Sequence, residues 1–236
     1  MKRLIRPLLL CLLVLGITLC FLACEDPSTG DLPPVDSPPT PDAVTLLAGL
    51  ADKVEASSGR FSIRAFSDME TGGATLRVSM YAASDGARVL RHTEFSTNSE
   101  FVEEEHLYAD GALREGDSLT PMTRGEYDAL HGALSIPYLD EARLASVPVY
   151  EEIGGYCFAV AETPAAADPY LRSIMGWRLH DLYAEATEVT MTYFFHFKED
   201  GELDRIDVRM DMVLMESVVF LTITAEYGEW GTALAT

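Results

Sequence analysis

The side chains of this 236-residue chain that could do chemistry are four cysteines, five histidines and a run of glutamates. Cys11 and Cys20 sit inside an apolar run, Cys24 closes it, and only Cys157 stands in the rest of the chain. A thiol attacks or ligates as its thiolate and needs a neighbouring base or cation to become one. Tyr156-Cys157-Phe158-Ala159-Val160 offers neither, so the stretch reads as an apolar strand with Cys157 as small core filler. With one cysteine left, no disulfide can close within the folded part. Glu103-Glu104-Glu105-His106 has the residue types of a metal site. On a strand, however, neighbours point to opposite faces, so only Glu104 and His106 would cooperate, and the segment reads as a solvated acidic edge. Asp207 and Asp211 would act in hydrolysis only if both faced a cleft. Asp200-Gly201 lacks the acidic spacing of a calcium loop and suits a hairpin turn. G-x-S-x-G, H-E-x-x-H, a phosphate-binding glycine loop and C-x-x-C are all missing. The expectation is a protein with no catalytic residue, metal or cofactor, and not an enzyme.

Cys24 is different, because of the residues before it. Lys2, Arg3 and Arg6 come ahead of an apolar run from Leu8 to Ala23 that carries no charge, the n-region and h-region of an export signal. The run is too short to favour a membrane span. Phe21-Leu22-Ala23-Cys24 resembles the bacterial lipobox, with Phe21 in place of the usual leucine. That resemblance implies cleavage before Cys24 and lipid on its thiol. Residues 1–23 are then a signal peptide, and the mature chain is anchored to the membrane outside the cytoplasm.

The formal charge is −21, and loss of Lys2, Arg3 and Arg6 with the signal takes it 3 further, to −24. Such a chain excludes nucleic acid as a partner and is repelled by anionic headgroups. A spacer that holds it off the bilayer therefore makes physical sense. Glu25 to Asp42 supplies one, with six prolines, five acids and no base. It would span ~25 Å as a coil and up to ~55 Å as polyproline helix. Residues 24–42 thus read as lipidated cysteine and disordered linker, and 43–236 as one domain.

That domain opens with a helix. Thr40 and Pro41 form an N-cap and N1 pair, Val44, Leu47, Ala51 and Val54 repeat at helical spacing, and Gly59 ends it. The period then changes to two: Phe61, Ile63 and Ala65, then Leu76, Val78 and Met80 after Thr71-Gly72-Gly73, with turns at Ser84-Asp85-Gly86 and Asp110-Gly111. After Gly86 the register is open: a four-residue loop turns Arg91 inward, a three-residue loop His92. Thr123 and Glu126 make a capping box, and Asp168-Pro169 starts a further helix. In the last sixty residues a four-residue loop, Lys198 to Gly201, pairs Tyr193 with Ile206, Met191 with Val208 and Val189 with Met210. A turn at Glu216-Ser217 pairs Leu214 with Val219, Met212 with Leu221, Met210 with Ile223 and Val208 with Ala225. Asp207, Arg209, Asp211, Thr222, Thr224 and Glu226 fall on the other face. One face is dry and the other wet.

In lipidated cysteine, opening helix, meander, helical inserts and closing hairpins, the chain from about Ala43 to Tyr227 resembles lipoproteins of the LolA and LppX type. The resemblance implies an α+β fold, a curved antiparallel sheet in a half-barrel meander with helices on its concave face. It also implies a concavity that holds lipid or acyl chains. Val78, Met80, Met191, Tyr193, Val208, Met210, Leu221 and Ile223 are the candidate hydrophobic lining, and methionine suits an adaptable apolar surface. The function expected is that of an envelope lipoprotein that binds or carries a hydrophobic small molecule or lipid. The alternative is an envelope interaction or sensor protein with a solid core that meets a protein or cell-wall partner.

Changing Cys24→Ser is expected to shift the protein out of the membrane fraction or leave an unprocessed precursor. Mass spectrometry of the wild-type N-terminal peptide checks this, and an unlipidated peptide, or one beginning elsewhere, contradicts it.

Overall fold

Apolar and polar side chains alternate on both sides of Gly72-Gly73, and in the computed structural model this stretch forms paired strands β1 (Arg60–Thr71) and β2 (Ala74–Asp85). The structure describes residues 40–71, 74–175, 186–214, 217–232 and 234, within a unit spanning Thr40–Thr236. The signal segment, Cys24 and the linker up to residue 39 lie outside the described residues. The chain continues through β3 (Val89–Thr97), β4 (Phe101–Ala109), β5 (Ala112–Glu115) and β6 (Ser118–Pro121). Strands β7 (Tyr150–Glu152), β8 (Gly155–Glu162), β9 (Val189–Lys198), β10 (Leu203–Leu214) and β11 (Ser217–Gly228) form the second half. All pair antiparallel in one eleven-stranded sheet, in the order β6-β5-β4-β3-β2-β1-β11-β10-β9-β8-β7. Two meanders therefore meet where β1 pairs β11, and the sheet stays open with β6 and β7 as its edges. The fold is α+β, as the alternation and the helical inserts imply.

Among the described residues four helices accompany the sheet: α1 (Ala43–Ala56), α2 (Arg124–His131), α3 (Glu141–Leu144) and α4 (Pro164–Met175). The cap of α1 is Asp42 rather than Thr40, because its carboxylate accepts from the Thr45 amide at 2.7 Å. The capping box of α2 forms between Thr123 and Glu126 as expected. Helix α4 begins at Pro164, five residues before the expected Asp168-Pro169 start. Thr163 Oγ1 accepts from the Ala166 amide, Pro164 takes the first helical position, and Pro169 lies inside the helix. Asp168 instead pairs with Arg172 one turn on, at 2.9 Å.

Both closing hairpins are shifted by two residues from the expected register. Tyr193 faces Val208, Met191 faces Met210 and Val189 faces Met212. The cause is a tighter turn followed by a bulge: Lys198 already donates to the Glu202 carbonyl at 2.8 Å, Gly201 takes the left-handed conformation, and the register slips again between Leu203 and Arg205. The next hairpin is also tighter, with Leu214 paired to Ser217, Met212 to Val219, Met210 to Leu221, Val208 to Ile223 and Ile206 to Ala225. Its turn residues Met215 and Glu216 lie outside the described residues, as do Gly72 and Gly73. A shift of two leaves every side chain on its expected face, since the strand period is two. Between β2 and β3, Ser84 pairs with Val89, which leaves a four-residue loop and turns Arg91 to the covered side.

Arg91 then fixes the helices. The residue is 3% exposed, and its guanidinium donates from Nη2 to the Gly132 carbonyl at 2.6 Å and from Nη1 to the Arg172 carbonyl at 3.3 Å. Gly132 caps α2 with φ +76°, and a Cβ there would lie 2.6 Å from the Ser173 amide nitrogen and 2.9 Å from the Arg172 carbonyl carbon. Only glycine allows this approach of α2 to α4. Gly132→Ala is expected to cost at least about 2 kcal/mol through overpacking and left-handed strain. Gly125→Ala, where no neighbour lies within 4 Å, should instead leave stability unchanged or raise it by up to about 1 kcal/mol. Urea unfolding of the two variants checks the contrast, and equal effects would contradict it.

Candidate functional site

Three places on this scaffold combine space or reactive groups. The first is the covered face of the sheet. Val78 and Met80 on β2, Met191 and Tyr193 on β9, Val208 and Met210 on β10, and Leu221 and Ile223 on β11 all belong to one cluster there, none more than 6% exposed. The structure thus brings all eight candidate lining residues together. The same cluster holds Leu46 and Leu50 of α1, Leu144 of α3, and Ala167, Tyr170, Leu171, Ile174 and Met175 of α4. Tyr170 stands edge-on to Tyr193 with ring centroids 5.6 Å apart, and its hydroxyl meets that of Tyr227 at 2.9 Å. Tyr227 donates onward to the Ser135 carbonyl at 3.1 Å. Burial pushes the phenols of Tyr170, Tyr193 and Tyr227 well above the ordinary value, so all three stay neutral. Open apolar space lies at the edge of this packing, in a groove of about 240 Å³ between α1 and the segment before α3. Val44, Leu47, Ile136, Tyr138 and Leu139 line it, and Tyr138 is 92% exposed.

The second place lies under β3 and β4, where the alternation of β4 turns Glu104, His106 and Tyr108 to the covered side. A smaller cluster of Val89, Tyr108, Leu113 and Tyr127 packs here beneath α2. His106 meets Glu115 across the β4–β5 pair at 3.4 Å, and its ring stands edge-on to His131 at 5.0 Å. These two histidines, with Glu104, Glu115 and Leu130, border a pocket of about 440 Å³. Glu104 and His106 do share a face, as the strand period requires. The acidic run is not only a solvated edge, however, because His106 reaches a second buried imidazole. His131 Nε2 is buried without a hydrogen-bond partner among the described residues. Burial, then the positive potential of His106 and Arg91, holds His131 down at about 4.

The third place departs from the expectation for Cys157. This cysteine is half-buried on the uncovered face, because Phe158 and Val160 take the covered one. It is not core filler, and it has neighbours that no local motif reveals. His196 lies directly opposite it on β9, and Glu152 projects beside it from β7. Burial and the Glu152 charge push the thiol up, so the free thiolate is disfavoured. Asp207 shares this face, where Thr224 donates to it at 2.6 Å, and Asp211 shares it in an ion pair with Arg209 at 3.1 Å. Cys24, the expected lipidation site, lies outside the described residues.

No family model and no curated protein sequence matches the chain. Among solved structures, a porin-like protein from Bacteroides uniformis aligns at 10% identity and a TM-score of 0.31, over 72% of this chain and 96% of that one. MucB in the Pseudomonas aeruginosa MucA/MucB complex aligns at 13% identity and a TM-score of 0.30, over 82% of this chain and 58% of that one. A further MucB structure gives 14% and 0.30. The chain spans about three fifths of the length of MucB, with 61% of that further chain covered.

His131 gives the second site a measurable signature. The unfolded chain takes up a proton as pH falls below 6.5, whereas the folded protein refuses it until about pH 4. The contribution of the neutral ring is complete above pH 6.5 and is lost as pH falls towards 4, the loss amounting to about 2 kcal/mol already at pH 5. His131→Phe should remove most of the stability difference between pH 7 and pH 5 that the wild type shows in urea unfolding. An unchanged pH slope would contradict this.

Proposed function

We propose that this chain is a lipid-anchored bacterial envelope protein, attached through Cys24 and spaced by its acidic proline-rich linker, whose domain binds a partner and catalyses nothing. Binding occurs on exposed surfaces, as in an interaction or sensor protein with a solid core. One observation carries this reading. The covered face of the sheet is filled by the protein's own α1 and α4 side chains, with Met191, Tyr193, Val208, Met210, Leu221 and Ile223 at most 1% exposed. A ligand seated on that face would have to displace Tyr170, Leu171 and Ile174, each at most 3% exposed. The high acidity favours a basic or neutral partner over an anionic surface.

A second reading, a carrier of a hydrophobic molecule, draws support from the apolar groove between α1 and Ile136–Leu139. The ligand then lies against α1 at the rim.

Ala225→Phe separates the two readings. Ala225 is fully buried opposite Ala65 and Ile206, so a filled interior should lose ~1–3 kcal/mol or more. Organic extracts of the purified wild type should contain no stoichiometric lipid. A variant of unchanged stability together with a stoichiometric extracted lipid would overturn the solid-core reading and favour the carrier.

A further inference from the structure

We propose that Glu152, Cys157 and His196 form a Zn²⁺ site on the uncovered face of the sheet. The three residues come from adjacent strands, β7, β8 and β9, and their ligand atoms all lie within 4.8 Å of one another. A tetrahedral zinc ion with bonds of about 2.0–2.3 Å places its ligand atoms roughly 3.3–3.6 Å apart. The widest separation allowed by that limit needs to close by roughly 1.2–1.5 Å. Glu152, on edge strand β7 with its side chain 37% exposed, is the member free to make that movement. The other two are fixed by strand pairing, since Cys157 and His196 are direct partners in the β8–β9 register.

The imidazole is already oriented as a metal ligand. His196 Nε2 lies 3.1 Å from Asp207 Oδ2. Asp207 is itself held by Thr224 Oγ1 at 2.6 Å and Arg205 Nε at 3.2 Å. On the other side Nδ1 faces Glu152 Oε1 at 2.9 Å, and with the Nε2 proton donated to Asp207, binding of the ion replaces any Nδ1 proton shared with Glu152 by a bond from the Nδ1 lone pair to the metal. A carboxylate behind a ligating histidine fixes its tautomer and raises its basicity. Arg205 Nη2 also approaches Nδ1, at 3.4 Å. It must withdraw when the ion enters, and its ion pairs with Asp204 at 3.1 Å and Asp207 at 3.2 Å hold it when it does.

One thiolate, one imidazole and one carboxylate are a donor set for zinc, which is borderline-soft and does not oxidise the thiol. Three protein ligands on a solvent-facing surface leave a fourth position for water or a ligand of the partner. Binding transfers the Cys157 proton to solvent and forms the Zn–S bond without any redox change.

The full chain in detergent, stripped with chelator, is titrated with Co²⁺ as the spectroscopic probe and then with Zn²⁺. One equivalent of Co²⁺ should give the visible bands of a tetrahedral ion and a thiolate-to-cobalt charge-transfer band, both displaced by Zn²⁺. Cys157→Ser should abolish the charge-transfer band, so the difference between the two proteins isolates this thiol from the other cysteines. Asp207→Asn should keep the band at saturation and weaken Zn²⁺ binding about 10- to 100-fold. Glu152→Gln, at an exposed edge that does not threaten folding, should weaken it too. Binding that does not saturate at one equivalent, or that Cys157→Ser or His196→Gln leaves at wild-type strength, would overturn the proposal.

Discussion

A buried arginine, 3% exposed and donating to two backbone carbonyls, organises this domain. Arg91 is held by the carbonyls of Gly132, at the end of α2, and Arg172, near the end of α4. The C-terminal end of a helix carries partial negative charge, so a cation is favoured at the end of α2, and its second hydrogen bond ties α4 to the same group. Removing it would take a charge-assisted hydrogen bond from each of the two helices, at roughly 1.5–3 kcal/mol each. The glycine at 132 belongs to the same arrangement, because a Cβ would hold the two helices apart. Covering one face of the sheet requires that the helices keep their places, and Arg91 ties two of them together.

From that constraint the interior takes its form. With α4 pinned, Tyr170 stands against Tyr193, and its hydroxyl, that of Tyr227 and the Ser135 carbonyl satisfy one another in the dry layer. The apolar face of β2 and β9–β11 is then sealed by the protein's own side chains. Space remains where helices end: along α1, and beside His106 and His131. Chemistry that needs exchange with solvent is left to the uncovered face, where β7, β8 and β9 align Glu152, Cys157 and His196.

The dry and wet faces are legible in the sequence because burial imposes a period of two, and an even register error cannot disturb it. The pairings are not, since they depend on a bulge after Leu203 and on tight turns that composition does not specify. The α2 capping box is readable because both partners are local. The α4 start is not, because Asp168-Pro169 imitates the signal that Thr163-Pro164 provides. Arg91 is visible only as one of two options. The His106–His131 contact and the Cys157–His196 pairing join residues 25 or more apart in sequence, so no motif could show them. The apolar character of its neighbours makes Cys157 look like core, though strict alternation with Phe158 and Val160 places it outward.

The central claim is that the covered face is a solid interior, with α4 part of the core and no lid over a cavity. Native-state hydrogen exchange tests it most directly. Amides of α4 and of β1, β10 and β11 should exchange only through global unfolding, with the same free energy and the same dependence on denaturant. Exchange of α4 through a separate opening of much lower free energy, with the central strands still protected, would contradict that claim and make the helix a gate.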